Sequence, residues 1–169
     1  MVALQDAAAG HVGLARLEST DGTKLRGFFF KLSPETLYRR FHSPITRPEQ
    51  AQPQRLLDID HHDREAVVAV AGGEIVGVAR YARRRAADTA EVAVVVADGW
   101  QRQGLATRML STLGELALQA GVRQFTLTMQ ADNRPVLRLV NRLYPDATLR
   151  HDQGMYEATV SVTGSHRCA

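Results

Sequence analysis

Apolar and polar positions divide the chain into strand-like and helix-like blocks in mixed order. From Arg64 the pattern is β: "REAVVAVA", the turn Gly72-Gly73 and "EIVGVARYAR" read as a two-stranded hairpin. "EVAVVV" is a further strand without polar alternation, so both its faces are expected to be covered. That run breaks at Asp98-Gly99-Trp100. From Gln103 to Ala120, Leu105, Met109, Leu113, Leu116 and Ala120 recur at helical spacing, and Gly121 supplies the stop. "RQFTLTM" predicts the next strand, "NRPVLRLVNRLY" the next helix, and "ATLRH" with "MYEATVSV" a closing antiparallel pair.

The N-terminal third combines a tail, a strand and helices. Residues 1–10 read as a loose Ala-rich tail and Val12 to Leu17 as a first strand. Thr20 or Asp21 can cap a helix to about Leu32. Ser33-Pro34 then opens a second helix through "ETLYRRFH" by the cap-then-proline signal. Pro44, Pro48 and Pro53 interrupt the next stretch, leaving "EQAQPQRLLDI" room for one short helix. There is no internal repeat. The expected organisation is one domain over 11–163, with tails at 1–10 and 164–169.

Composition narrows the class. At 169 residues the chain suits a single domain, and 44% apolar with 23% charged residues is ordinary for a soluble globular protein. The run Val92 to Ala97 is far too short to span a membrane. "MVALQDAAAG" lacks the basic and apolar regions of a signal peptide, and the lone Cys168 cannot form an internal disulfide, so a cytoplasmic protein is expected. The net charge of +3 suits an anionic ligand but is too small to argue for nucleic acid. Only Lys24 and Lys31 of the 21 basic residues are lysine. Arg83-Arg84-Arg85 reads as the solvated tip of a hairpin.

The glycine at the strand-to-helix junction carries the chemistry. A helix leaves its first N–H groups unpaired, and its dipole favours negative charge there. A strand running into such a terminus, with Gly104 removing a Cβ, can cradle a phosphate or pyrophosphate. Neither G-x-x-x-x-G-K-[ST] nor G-x-G-x-x-G after a strand is present, which excludes a P-loop and a dinucleotide fingerprint. What remains is Q/R-x-x-G-x-G/A, met by Gln101, Gly104 and Ala106.

This motif resembles the acetyl-CoA signature of the GNAT N-acetyltransferase superfamily. The setting agrees: hairpin and strand before, long helix after, then a strand and "ADNRPVLRLVNRLY", with Asn133 where the family carries an asparagine. "LSPETLYRRFHSP" followed by "LLDIDHHDREAVVAV" is similar to the N-terminal part of Pat-type bacterial protein lysine acetyltransferase domains. The similarity covers about residues 10–163, without the appended regulatory domain of some members of that branch. Where many members place a tyrosine able to protonate the departing thiolate, this chain has Val140. Tyr144 lies four residues further on and is not assigned that role.

The resemblance implies an α/β fold, a mixed, mostly antiparallel twisted sheet flanked by helices, with acetyl-CoA in the splay between central strands. It implies acetyl-CoA as co-substrate and no metal. The pyrophosphate would take N–H bonds from Gln103, Gly104, Leu105, Ala106 and Thr107, with Gln101, Arg102 and Asn133 alongside. The pantetheine arm would lie along Val92 to Val96, against Val94 and Val96. Glu91 to Val96 spans about 16 Å at about 3.3 Å per residue. That is the reach of a pantetheine arm, so the thioester arrives near Glu91.

Glu91 is the expected general base. An amine at neutral pH is mostly ammonium and must lose a proton before it attacks, and a partly buried carboxylate is suited to accept it. The matching glutamate acts as base in the Pat-like branch. The other reading is a strand-end glutamate in solvent or paired with an arginine. The acceptor is expected to be a protein lysine, with an AMP-forming acyl-CoA synthetase the first candidate by resemblance. A small amine (polyamine, amino acid or antibiotic) and a non-catalytic acyl-CoA sensor stay open, as do monomer and homodimer. The segments "SPETLYRRFH" and "PQRLLDIDHHD" are expected to form one wall of the acceptor channel and the loop near His151 to Gly154 the other, with Asp58, Asp60 and Asp63 attracting the cation. Tyr38, Phe41 and His42 are expected to cover the sheet, and Trp100 to pack beside the loop. His61-His62 beside those aspartates lacks a third ligand at metal-binding spacing. No G-x-S-x-G exists, which argues against a hydrolase triad.

Overall fold

The computed structural model describes residues 1–5, 12–42, 53–84 and 87–162. The expected C-terminal tail, Arg85, Pro44 and Pro48 lie outside these residues. Eight strands form one sheet: β1 (Val2–Gln5), β2 (Gly13–Arg16), β3 (Arg64–Ala71), β4 (Glu74–Ala82), β5 (Thr89–Val96), β6 (Gln124–Gln130), β7 (Thr148–Asp152) and β8 (Met155–Ser161). Their order is β1-β2-β3-β4-β5-β6-β8-β7, antiparallel throughout except for the parallel β5–β6 pair. The α-helices among the described residues are α1 (Gly22–Phe30), α2 (Pro34–Phe41), α3 (Leu105–Gln119) and α4 (Arg134–Leu143).

Two elements correct the sequence expectation. Val2–Gln5 is not part of a loose tail: it pairs with β2, Ala3 opposite Ala15, and Leu4 packs on the core. A four-residue edge strand is too short to show a period; it is held by its partner strand, by Leu4 on the core and by the Met1 amino group 2.8 Å from Asp21. The short helix expected before β3 is a 3₁₀ turn over Pro53–Leu57.

Local signals explain most of the rest. Ser33 caps α2 by accepting from the Thr36 N–H at 3.2 Å, with Pro34 in the first turn. The hairpin turns at Gly72 and Gly73, both at positive φ.

The helices cover opposite faces of the sheet. One core joins Met109, Leu110 and Leu113 of α3 and Val140 and Leu143 of α4 to Val67, Tyr81, Val92 and Phe125. The other joins Leu25, Phe28 and Phe29 of α1 and Leu37 of α2 to Ala66, Val68, Val78 and Val95. α3 lies close to β4 because Gly77 has no side chain: a Cβ there would stand 2.8 Å from Met109 Cε.

Candidate active site

β5 and β6 run side by side only at their start. Thr89, Ala90 and Glu91 pair with Gln124, Phe125 and Thr126, and no pairing continues beyond them. On its other edge β5 stays paired with β4 from Glu91–Ala82 to Val96–Gly77. Past Glu91, therefore, the edge of β5 facing β6 offers backbone donors and acceptors to another extended chain. Val94 and Val96, in this stretch, are half-buried and pack on the α3 side. The strand is less covered than its apolar sequence suggests, because its parallel neighbour leaves it.

The open edge leads into the loop 98–104. Gly104 is the N-cap of α3 at φ 79°, and Arg102 also stands at positive φ, 60°. No side chain caps this helix, and its first internal bond is Arg108 N–H to the Gly104 carbonyl at 3.1 Å. The N–H groups of Leu105, Ala106 and Thr107 thus have no partner within the helix. No acidic residue stands in the first turn. This is an anion cradle by geometry and dipole.

The motif's side chains mostly build the loop. Gln101 donates to the Val96 carbonyl at 3.1 Å and to Thr36 Oγ1 at 3.2 Å, and Gln103 donates to the Gly99 carbonyl at 3.0 Å. Arg102 is exposed. Trp100 packs half-buried beside the loop. Asn133 is buried and caps α4, its Oδ1 accepting from Val136 N–H at 3.4 Å. Arg142 of α4 reaches Thr107 Oγ1 at 2.7 Å and brings a cation to the cradle that spacing alone did not reveal.

Glu91 stands at the vertex where β5 and β6 part. Strand register places Arg64, Ala82, Glu91, Thr126 and Thr159 in one row across the sheet, on the α1/α2 face. The carboxylate was expected to be partly buried; it is exposed. The helices cover this face only as far as β5. Beyond it Thr128, Arg150, Asp152, Gln153, Met155 and Glu157 line an open cavity of about 290 Å³. At the end of α2, partial burial and then Arg40 hold the His42 imidazole below the usual histidine range, against the opposing pull of the Thr128 backbone.

Two arginines flank Glu91. Arg80 pairs with Ala93, diagonally beside Glu91 on the same face, and Arg40 comes from the last turn of α2. Burial, then the neighbouring Arg80, pulls the Arg40 guanidinium down to about 10, with Glu91 acting the other way.

Several expectations are revised. Asp58 and Asp60 pair with Arg64 at 3.5 and 3.1 Å, and Asp63 pairs with Arg83 at 2.8 Å, so these carboxylates are engaged by arginines. Arg83 is no solvated tip. Its side chain is 3% exposed and also donates to the Ala87 and Ala120 carbonyls, both at 2.8 Å. Tyr38 is 45% exposed, whereas Phe41 packs against Phe29 at 5.9 Å. His61 and His62 form no group of metal ligands among the described residues. Val140 is a core residue, and burial pushes the Tyr144 hydroxyl up to about 12.

A parallel pair that splays beside an uncapped helix start is the arrangement of an acyl-CoA-dependent acetyltransferase. The chain belongs to the acetyltransferase (GNAT) family, whose profile matches residues 33–143. It is 32% identical over 135 residues to the acetyltransferase Pat of Mycolicibacterium smegmatis, covering 78% of this chain and 40% of that protein. It is 34% identical over 128 residues to the acetyltransferase PA5475 of Pseudomonas aeruginosa, covering 73% of this chain and 69% of that one. The chain thus spans well under half of the M. smegmatis relative. In fold it resembles the GNAT domain of S. lividans PAT, with a TM-score of 0.81, 24% identity and coverage of 89% and 90% of the two chains. No helix among the described residues is long and apolar enough to cross a membrane.

Proposed function

We propose that the protein moves the acetyl group of acetyl-CoA directly to the ε-amine of a protein lysine, with Glu91 as general base. The observation that carries this is the place of Glu91 at the vertex of the splay, facing the open cavity side. Pyrophosphate bound at Gly104 to Thr107 sends the pantetheine arm along the free edge of β5, past Val96 and Val94. Its thioester then stops beside Glu91.

The carboxylate takes a proton from the incoming ammonium, and the neutral amine attacks the thioester carbon. A C–N bond forms, the carbonyl electrons move to oxygen, and the C–S bond breaks as they return. The thiolate leaves and takes up the proton that the nitrogen sheds. Exposure of Glu91 suits proton exchange with solvent before the acceptor covers it. The uncovered polar face of β6, β8 and β7 leaves room for a folded acceptor surface, and the Pat relative agrees with a protein substrate.

The test is labelled acetyl-CoA with an AMP-forming acyl-CoA synthetase, the label mapped by mass spectrometry. Glu91→Gln is expected to keep cofactor affinity and lower kcat by roughly 10²–10⁴, the usual worth of a placed base. A Glu91→Gln protein within threefold of wild type would remove Glu91 from the chemistry. Fast turnover of a free amine with no protein label would move the acceptor to a small molecule.

A further inference from the structure

Among the described residues, Arg40 and Arg80 stand out from Arg64 and Arg83 by having no carboxylate partner. Arg64, one strand away on the same face, is neutralised by Asp58 and Asp60. Arg83 is satisfied by Asp63 and two carbonyls. Among the described residues neither Arg40 nor Arg80 forms an ion pair or hydrogen bond, not even with Glu91. Each is half-buried, and burial is the main cause that lowers the proton affinity of both. Holding two cations close together and partly out of water is unfavourable until an anion arrives. Arg40 is also held in place, its guanidinium 4.8 Å from the Phe41 ring centroid, and Phe41 is wedged against Phe29.

We infer that Arg40 and Arg80 together bind a carboxylate carried by the substrate, next to the atom that Glu91 deprotonates. The inference rests on the reading of Glu91 as the transfer centre and adds a substrate class to it. Arg80 rises from β4 diagonally beside Glu91, and Arg40, in the last turn of α2, lies within electrostatic reach of both. Guanidinium groups present planar paired donors that match a carboxylate. The arrangement also answers a charge problem. Two arginines beside Glu91 repel a bare ammonium, and a carboxylate next to the amine offsets that repulsion. The carboxylate has two possible sources: an acidic group beside the acceptor amine, or the far end of a dicarboxylic acyl chain.

Both sources are tested by calorimetry and by turnover. Lysine peptides differing only by Asp or Asn beside the lysine are titrated into CoA-saturated protein and then used as acceptors with acetyl-CoA. Succinyl-CoA and butyryl-CoA, alike in length but not in charge, are titrated into the free protein. Wild type is expected to favour the acidic member of one pair by about tenfold or more, the scale of hydrogen bonds to charged groups. The pair showing the preference identifies the source. Arg80→Gln and Arg40→Gln should bring that ratio close to one, while Arg80→Lys retains part of it. A preference in Kd without turnover would keep the carboxylate site and remove the transfer reading. Equal Kd and kcat/KM within both pairs, with acetyl transfer proceeding, would overturn the inference. So would equal loss for acidic and neutral substrates in the variants, which would make the arginines stabilisers of the reaction's oxyanion.

Discussion

The Asp98 carboxylate, just beyond the end of β5, grips Ser33 at the start of α2. It accepts from Ser33 N–H at 3.0 Å and Ser33 Oγ at 2.7 Å, and from Thr36 Oγ1 at 2.7 Å. Gln101 adds a second tie to Thr36 at 3.2 Å. Partial burial pushes the Asp98 carboxyl up, but the hydrogen bonds from Ser33 and Thr36 outweigh it and hold it below the usual aspartate range. The 98–104 loop is therefore latched to the helix that carries Arg40 and His42.

Asp98→Ala should weaken both sites through this latch. The expected result is a three- to tenfold rise in the KM for acetyl-CoA together with a rise in the acceptor KM, and kcat little changed. Each lost bond to the ionised carboxylate is worth on the order of 1–2 kcal/mol, discounted because the bonds are exposed. Steady-state kinetics on both substrates decides it. If only the cofactor KM moves, the latch does not reach the acceptor side.

Gly104 stands at φ 79°, and a Cβ there would meet no protein atom within 4 Å. The need for glycine is thus conformational on the protein's side, with the open space left to the ligand. A β-branched residue in the left-handed region costs about 1–2 kcal/mol or more. Gly104→Val should lower Tm by about 2–8 °C and weaken CoA binding at least tenfold. Wild-type affinity by calorimetry in a folded Gly104→Val protein would remove this loop as the phosphate cradle.

What spacing made legible is local. Gln101, Gly104 and Ala106 follow a strand and precede a helix, and capping at Ser33-Pro34 is settled within four residues. What spacing hid depends on contacts far apart in the chain. Glu91 is exposed because β6 diverges from β5, and nothing in "AEVAVVV" states where its parallel neighbour turns away. The approach of Arg40 to Arg80 joins helix α2 to strand β4, which no periodicity connects. Asp58, Asp60 and Asp63 looked available because their arginine partners could not be assigned from order alone.

Arg83 shows the same limit and gives a contrast within one basic run. Its guanidinium ties Asp63, Ala87 and Ala120 together, 20 and 37 residues from the more distant partners, while Arg84 beside it is exposed. Removing one partner of such a buried set leaves the others unsatisfied. Arg83→Gln should lower Tm by about 5–10 °C, and Arg84→Gln by less than about 2 °C. Equal, small shifts in differential scanning calorimetry would show that the network contributes little.

His61 should make stability depend on pH in a direction set by its two carboxylates. Its Nδ1 lies 2.9 Å from Glu65 Oε1 and its Nε2 3.2 Å from Glu18 Oε2. Glu65 is 1% exposed and also accepts from Arg16 Nε at 3.0 Å. Burial of the ring favours its neutral form, but the bonds to Glu65 and Glu18 outweigh that and raise its pKa above 6.5, with Arg16 opposing. A histidine whose folded pKa exceeds its unfolded value stabilises the fold most fully below the unfolded value, near pH 6.5, and loses that contribution as pH rises through the folded value. His61→Gln keeps a hydrogen-bonding side chain but cannot carry the charge. The Tm difference between wild type and His61→Gln should therefore be largest near pH 6 and shrink steadily at higher pH. His42 titrates in both proteins and cancels from the difference. Thermal melts at half-unit steps from pH 5.5 to 9, in about 0.15 M salt, measure it directly. A difference that stays constant across this range would mean that the ring between Glu18 and Glu65 is neutral throughout, holding its place by packing and neutral hydrogen bonds alone.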